Sequence, residues 1–323
     1  MSTYRTGATL QESMRTIRYF LGRLSGAVPT LLAVVSIGFF LVRLAPGDPF
    51  DADKALPADV AANLRAAYGL DKPLYVQYGR YLAALVHGDF GPSFRYRDLT
   101  VTELIRQGLP VTLSLGAAAL VVALAGGIGL GSLAAMRHGT FADHATIGCA
   151  AVGLALPAFV LLPSLDLWFG VHLHWLPVAG WEPDVLAYWP LPVVALALPP
   201  MFIVARLTRA GLLDVMRSAY VRTARAKGLP LAIVVLRHAL RPALIPVAGY
   251  LPPAVAAIMT GSLVVETIAG LPGIGRYLVQ GALNRDYTLV LGMIVVYSSL
   301  LIAMGLVVDL LYVWLDPRVR LQR

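Results

Sequence analysis

The stretch Leu213 to Pro246, LDVMRSAYVRTARAKGLPLAIVVLRHALRPALIP, decides how the rest of the chain is read. It lies between two hydrophobic runs, and from Arg206 to Arg241 it carries eight Lys/Arg against one acid, Asp214. A loop that basic belongs on the cytoplasmic side of a membrane. Its centre, Ala219 to Gly228, strings Ala219, Thr223, Ala224 and Ala226 beside Arg222, Arg225 and Lys227, with Gly228 where a helix is expected to end. Small side chains make a poor core, but they let a helix backbone approach another surface closely while arginines reach carboxylates at the rim. The pattern predicts a short helix that inserts into a cleft on another protein. A plainer reading, a basic loop that only fixes topology or touches anionic lipid, uses the same charges.

Composition sets the class. With 58% hydrophobic residues, 14% charged residues and a mean hydropathy of +0.72, the 323-residue chain would expose too much apolar surface as a soluble globule. It is read as a membrane protein. The net charge of +8 does not indicate nucleic acid, because the cations sit beside hydrophobic spans rather than along one face with interleaved aromatics. The single cysteine, Cys149, lies in an apolar span among Gly148, Ala150 and Ala151, which excludes an internal disulfide and suggests a small packing residue.

Residues 1–23 carry four arginines and one glutamate and are expected as a cytoplasmic N-terminal segment. Residues 24–42 are uncharged, and as a helix they span about 28 Å, close to the hydrocarbon thickness. They form the first predicted transmembrane helix, a retained anchor without a small-residue cleavage site. Residues 43–106, with eight basic and eight acidic residues, are the one long polar excursion and are expected as an extracytoplasmic insertion. Pro46, Gly47 and Pro49 break the helix at its start. Residues 107–314 hold five further crossings, with the basic loop 213–241 between the fourth and fifth, and residues 315–323 form a cytoplasmic tail.

The second crossing lies between Arg106 and Arg137, where Gly127 and Gly131 stand four apart and permit close helix contact. The third runs from about Ala145 to Phe169. It is followed by an external segment in which His172 and His174 read as surface residues rather than metal ligands, for want of a third. The fourth, between Asp184 and Arg206, contains Pro190, Pro192, Pro199 and Pro200. The fifth, ending at Glu266, contains Pro242, Pro246, Pro252 and Pro253. Irregular backbone at membrane depth survives only where protein or a water-filled cavity covers it, so these two spans are the expected walls of a path. Tyr250, Thr260, Ser262 and Glu266 on the fifth are the candidate path or gate residues. The sixth crossing opens at Asn284–Tyr287 and runs to about Trp314. Six crossings put both termini on one side, with sixteen cations on the cytoplasmic side against two outside once the balanced excursion is set aside.

Tyr220-Val221-Arg222-Thr223-Ala224-Arg225-Ala226-Lys227-Gly228-Leu229, followed by Leu236-Arg237-His238-Ala239-Leu240-Arg241 and Pro246, resembles the coupling-loop signature of ABC importer permeases. It is most similar to the B-type permease subunit of dipeptide and oligopeptide transporters. The blocks Tyr68–Tyr78, Gly88–Gly91 and Thr267–Arg276 resemble the same family. Two departures stand out: Ala219 replaces the usual acid or amide before the tyrosine, and Pro230, Leu231, Ala232 and Ile233 replace typically polar residues.

The resemblance implies a type I ABC importer permease fold in a bacterial cytoplasmic (inner) membrane, with residues 220–229 docking into an ATPase subunit. The implied partners are a sister C-type permease, two ATPase subunits or domains and an extracytoplasmic substrate-binding protein. ATP and Mg would bind the ATPase partners, and no cofactor is expected in this chain. The implied cargo is a short peptide, although nickel, opine and glutathione carriers share the family.

The chemistry missing from the chain fits a non-enzyme. Lys54, Lys72 and Lys227 are followed by Ala, Pro and Gly, so no Gly-Lys-Ser/Thr phosphate loop exists. No H-E-x-x-H helix or G-x-S-x-G elbow appears, and the acids Asp166, Glu266 and Asp309 fall near predicted span ends. The rival reading, an ion-driven secondary transporter, would need intramembrane charge and two related halves, and neither is visible.

Overall fold

The computed structural model describes residues 3–44, 62–63, 65–66, 69–96, 99–182 and 185–315. In chain order the helices are α1 (Thr3–Leu44), α2 (Leu74–Val86), α3 (Val101–Met136), α4 (Phe141–Ala155), α5 (Ala158–Leu165), α6 (Pro190–Val215) and α7 (Ala219–Ala226). They continue as α8 (Leu231–Ile233), α9 (Leu240–Ala243), α10 (Ile245–Ala269), α11 (Ile274–Leu283) and α12 (Tyr287–Leu315). Among the described residues no strand forms beyond an isolated bridge between Pro92 and Thr100, so the expected all-α class holds.

Five described helices are long and apolar enough to cross a membrane: Ser25–Leu44, Val101–Met136, Leu186–Val215, Ile245–Ala269 and Tyr287–Val308. The expected boundary between residues 23 and 24 is not a break, because α1 runs unbroken from Thr3 through residues rich in the helix formers Arg, Leu, Met, Gln and Glu. The third crossing is not one helix. Leu156 adopts φ −98°, ψ 112° because the ring of Pro157 disfavours the helical region for the residue before it. The chain restarts as α5 and widens into a π-helical turn at Asp166–His172.

The fourth crossing overshoots Arg206 and reaches Val215, so the first residues of the basic loop belong to its helix. The fifth ends at Ala269, three residues past Glu266, where Gly270 takes the left-handed conformation (φ 72°) and caps it. The tandem prolines Pro199–Pro200 and Pro252–Pro253 sit inside continuous helices, whereas irregular backbone appears at Leu156, at the π-helical turn Asp166–His172, at a second one over Val234–Ala239, and at Leu244 between Pro242 and Pro246. Val101–Arg106, the last residues of the expected insertion, form the first turns of α3. The helix break at Pro46–Pro49, Tyr68, Asp184 and the tail 316–323 lie outside the described residues.

The chain divides into two compact units, Met1–Thr102 with Gly281–Leu306 and Glu103–Gln280 with Val307–Arg323. In the first, Phe39 of α1 is buried against Tyr78 and Tyr81 of α2, with ring centroids 5.3 and 5.9 Å away, and the Ser36 hydroxyl lies 2.6 Å from that of Tyr78. Asp286 precedes α12 and is fully buried. Its carboxylate caps α12 by accepting from the Leu289 N–H at 3.1 Å, and it also accepts from the Ser93 hydroxyl and the N–H groups of Phe94 and Arg95. A buried charge is tolerable when several donors surround it, and here they come from the insertion and from the helix it caps.

The second unit is built around α6. A Cβ on Gly127 would fall 2.6 Å from both the Met201 carbonyl oxygen and Val204 Cβ, and one on Gly131 would fall 2.8 Å from Thr208 Cβ. α3 therefore meets α6 backbone to backbone at the glycine pair expected to permit it. Gly211 meets the Ala243 carbonyl in the same way, and Gly153 of α4 lies against the Phe202 ring. Lipid tails are as apolar as the side chains they would replace, so close packing of this kind, more than the hydrophobic effect, holds spans together. Cys149 lies exposed on α4 rather than packed.

Candidate functional site

The basic loop folds into the helix its composition predicts. α7 spans Ala219–Ala226, Lys227 caps it, and Gly228 follows at φ 79° with its N–H bonded to the Arg225 carbonyl at 2.9 Å. Among the described residues nothing lies within 4 Å of where a Gly228 side chain would begin. Only Val221 and Ala224 turn inward, and they pack with Leu212, Val234, Val235, Ala239 and Ala243, with Ala135 of α3 at the margin. Tyr220, Arg222, Thr223, Arg225, Ala226, Lys227, Gly228 and Leu229 are exposed, as are Leu231, Ile233 and Leu236 beyond them. The segment is thus anchored through two small contacts, while three cations and a row of apolar side chains remain free to meet another surface. The non-polar run Pro230–Ile233 is exposed throughout.

A second cluster lies where α3 turns into α4, and nothing in the sequence pattern singled it out. Asp143, in the first turn of α4, is buried, and Arg209 of α6 grips it bidentately: Nε reaches Oδ1, and Nη2 reaches Oδ2 at 2.8 Å. The same Oδ2 accepts from the Gly139 N–H at 3.0 Å and lies 2.9 Å from His138 Nδ1. These bonds, Arg209's foremost, outweigh burial and hold the Asp143 carboxyl well below the usual carboxylate range. Gly139, at φ 78°, makes the turn possible, and the Thr140 hydroxyl closes it onto the Arg137 carbonyl at 2.6 Å. An acid one turn past a Gly, with a partner 66 residues on, leaves no local signature.

An apolar cleft of about 690 Å³ is walled by Leu156–Phe159 at the α4–α5 break, by Pro199 and Pro200 of α6, and by Ala256, Ala257, Thr260 and Gly261 of α10. Of the four candidate path residues only Thr260 lines it, and its hydroxyl bonds back to the Ala256 carbonyl at 2.8 Å. Tyr250 is half-buried elsewhere on α10. Ser262 is buried with its hydroxyl on the Met259 carbonyl.

Glu266 is fully buried and belongs to a different construction. Its Oε2 accepts the Gly275 N–H at 2.8 Å, while Thr112 Oγ1 of α3 accepts the Ile274 N–H at 3.0 Å. A Cβ on Gly273 would meet Thr112 Oγ1 at 2.7 Å and overlap the Glu266 carboxylate. The glycines of Gly270–Gly275 therefore let this turn fold onto its own buried acid and onto α3, where Gly108 leaves room for the Ile274 backbone. The arrangement holds the turn beyond α10 in place. It offers no open carboxylate to a passing ligand.

These features have counterparts in known proteins. Residues 127–321 match the family described as binding-protein-dependent transport system inner membrane component, and residues 16–116 match its N-terminal family. The oligopeptide transport system permease protein OppB of Escherichia coli K12 is 46% identical over 304 residues, covering 94% of this chain and 99% of the relative. The dipeptide transport system permease protein DppB of Bacillus subtilis is 40% identical over 95% of this chain and 99% of its own length, and DppB of Lactococcus lactis is 36% identical over 94% and 100%. Matches that run through both the membrane spans and the basic loop, over nearly the whole of each relative, establish that the chain belongs to the binding-protein-dependent transport family of inner-membrane permeases.

Proposed function

We propose that this permease forms one half of the passage of an ATP-driven importer of short peptides. The observation that carries the reading is the 46% identity to an oligopeptide permease over 94% of the chain. A binding-protein-dependent permease works with a binding protein and an ATPase, and is not itself the ATPase. The finer assignment is ours: a sister C-type permease, two ATPase subunits or domains that hold ATP and Mg, and an extracytoplasmic binding protein that delivers the peptide.

The part of the chain that meets the ATPase is Tyr220–Leu229. Its exposed Arg222, Arg225 and Lys227 suit carboxylates at a cleft rim, and its small residues suit close approach. The non-polar Leu229, Leu231, Ile233 and Leu236 suit an apolar shelf beside that cleft. Thr260 and the prolines of the cleft wall supply a passage with no charge of its own, which would not discriminate among peptide side chains. Selectivity then rests with the binding protein.

The test is uptake of radiolabelled tri- and pentapeptides into proteoliposomes containing the full complex. The expected result is uptake that requires ATP, the binding protein and this chain together. Uptake driven by a proton gradient with this chain alone, or ATP-driven uptake of nickel but not of peptides, would overturn the reading.

A further inference from the structure

Among the described residues, the apolar cluster that anchors the coupling helix α7 draws on α3, α6 and the segment leading into α10, and on none of α4. Yet α4 ends at Leu156, and Leu156–Phe159 form one wall of the cleft. α4 packs along α6, and two of the contacts between them lie at opposite ends of α4. At its C-terminal end Gly153 lies against Phe202, an uncharged contact so close that a Cβ there would overlap the ring. At its N-terminal end Asp143 is clasped by Arg209, with both carboxylate oxygens engaged. That joint is directional and cannot slide without losing two charge-assisted bonds. Arg209 stands six residues before the end of α6, about 9 Å along the helix, and the turn Met216–Ser218 then leads into α7.

We propose that Asp143 and Arg209 are positioning residues for transport: their ion pair makes α4 follow α6, so that a displacement of α7 reaches the Leu156–Phe159 wall of the cleft. α4 is a 15-residue rod, about 22 Å long, with the joint at one end and the Pro157 break at the other. A break at that point lets α5 keep its own packing while α4 tilts. The turn Arg137–Thr140 is held to the same carboxylate by the Gly139 N–H and His138, so it moves with the joint. Neither residue touches the cleft, and the cargo has no part in their role.

The inference rests on the proposed coupling through α7, and the test separates the two. Asp143→Asn, Arg209→Gln, the double variant and the charge-conserving Arg209→Lys are each assembled with the ATPase, sister permease and binding protein in proteoliposomes. Peptides taken up per ATP hydrolysed are measured with radiolabelled tripeptide, beside Gly228→Trp. We expect the two neutral single variants to lower that ratio about tenfold, with assembled complex and basal ATP hydrolysis within about twofold of wild type. The double variant should be no worse than either single one, because the residues act through each other. Arg209→Lys, which keeps the charge but not the two-bond grip, should fall between.

A ratio within about twofold of wild type in the neutral variants overturns the inference. So does a double variant equal to the product of the singles, or uptake and hydrolysis that fall together with the amount of complex recovered, including no recovery at all. If wild type imports and Gly228→Trp is uncoupled while Asp143→Asn is not, only this inference fails. If wild type shows no ATP-driven import, the functional reading fails first.

Discussion

Gly228 separates two ways in which the end of α7 matters. Its φ of 79° costs an L-residue about 1–2 kcal/mol, a factor of about 5–30 in the population of the native helix end. That backbone cost is nearly the same for Ala and Trp. Among the described residues nothing lies within 4 Å of the Cβ position, so an Ala methyl meets no obstacle in the subunit and a Trp side chain starts into open space. Gly228→Ala and Gly228→Trp should therefore insert and survive in the membrane equally well, and weaken α7 equally. They differ only if another protein approaches that bare surface. In the assembled complex, ATP hydrolysis is measured with and without peptide-loaded binding protein. Gly228→Ala should keep peptide stimulation, reduced by no more than about 30-fold in apparent docking affinity. Gly228→Trp should lose stimulation altogether. Equal behaviour of the two variants would show that backbone strain, not a docked partner, explains the glycine, and would refute the reasoning.

Three further outcomes follow from the packing. Gly131→Leu should drive α3 off α6, since even a Cβ there would fall 2.8 Å from Thr208 Cβ. A loss of about 1–3 kcal/mol should appear as a lower melting temperature in detergent. Asp286→Ala removes the acceptor shared by Ser93, Phe94, Arg95 and Leu289 and should open the Gly91–Tyr96 segment to external protease in spheroplasts, whereas Asp286→Asn should do so only partly. Glu266→Gln keeps an oxygen for the Gly275 N–H and should leave the range of imported peptides unchanged, while Gly273→Ala, whose methyl would overlap that side chain, should lower the yield of folded subunit severalfold.

What could be foreseen in the sequence was what short-range pattern encodes. The α7 boundary was legible because Gly228 has no competitor for a left-handed position and Val221 and Ala224 alone face inward. The contact of Gly127 and Gly131 with α6 was legible as spacing, although the partner helix was not. The break at Leu156 was missed because a continuous apolar run hides a proline, while Pro199–Pro200 and Pro252–Pro253 looked disruptive but were carried through by their helices. The joint of Asp143 with Arg209, and of Asp286 with Ser93, could not be seen because each pairs residues far apart in the chain, 66 and 193 positions respectively. Burial of Glu266 was likewise a tertiary fact, set by how the following glycines fold back on it.

The bond between Ser93 and Asp286 also imposes an order on biogenesis. The two residues are 193 positions apart. At about 5–20 residues per second, a ribosome needs about 10–40 s to deliver the second after the first. Until then the Ser93 hydroxyl and the Phe94 and Arg95 amides lack the carboxylate that gathers them. The helix that follows Asp286 is therefore the one that completes the Ser93–Arg95 segment, and a chain truncated before it should leave that segment open to protease.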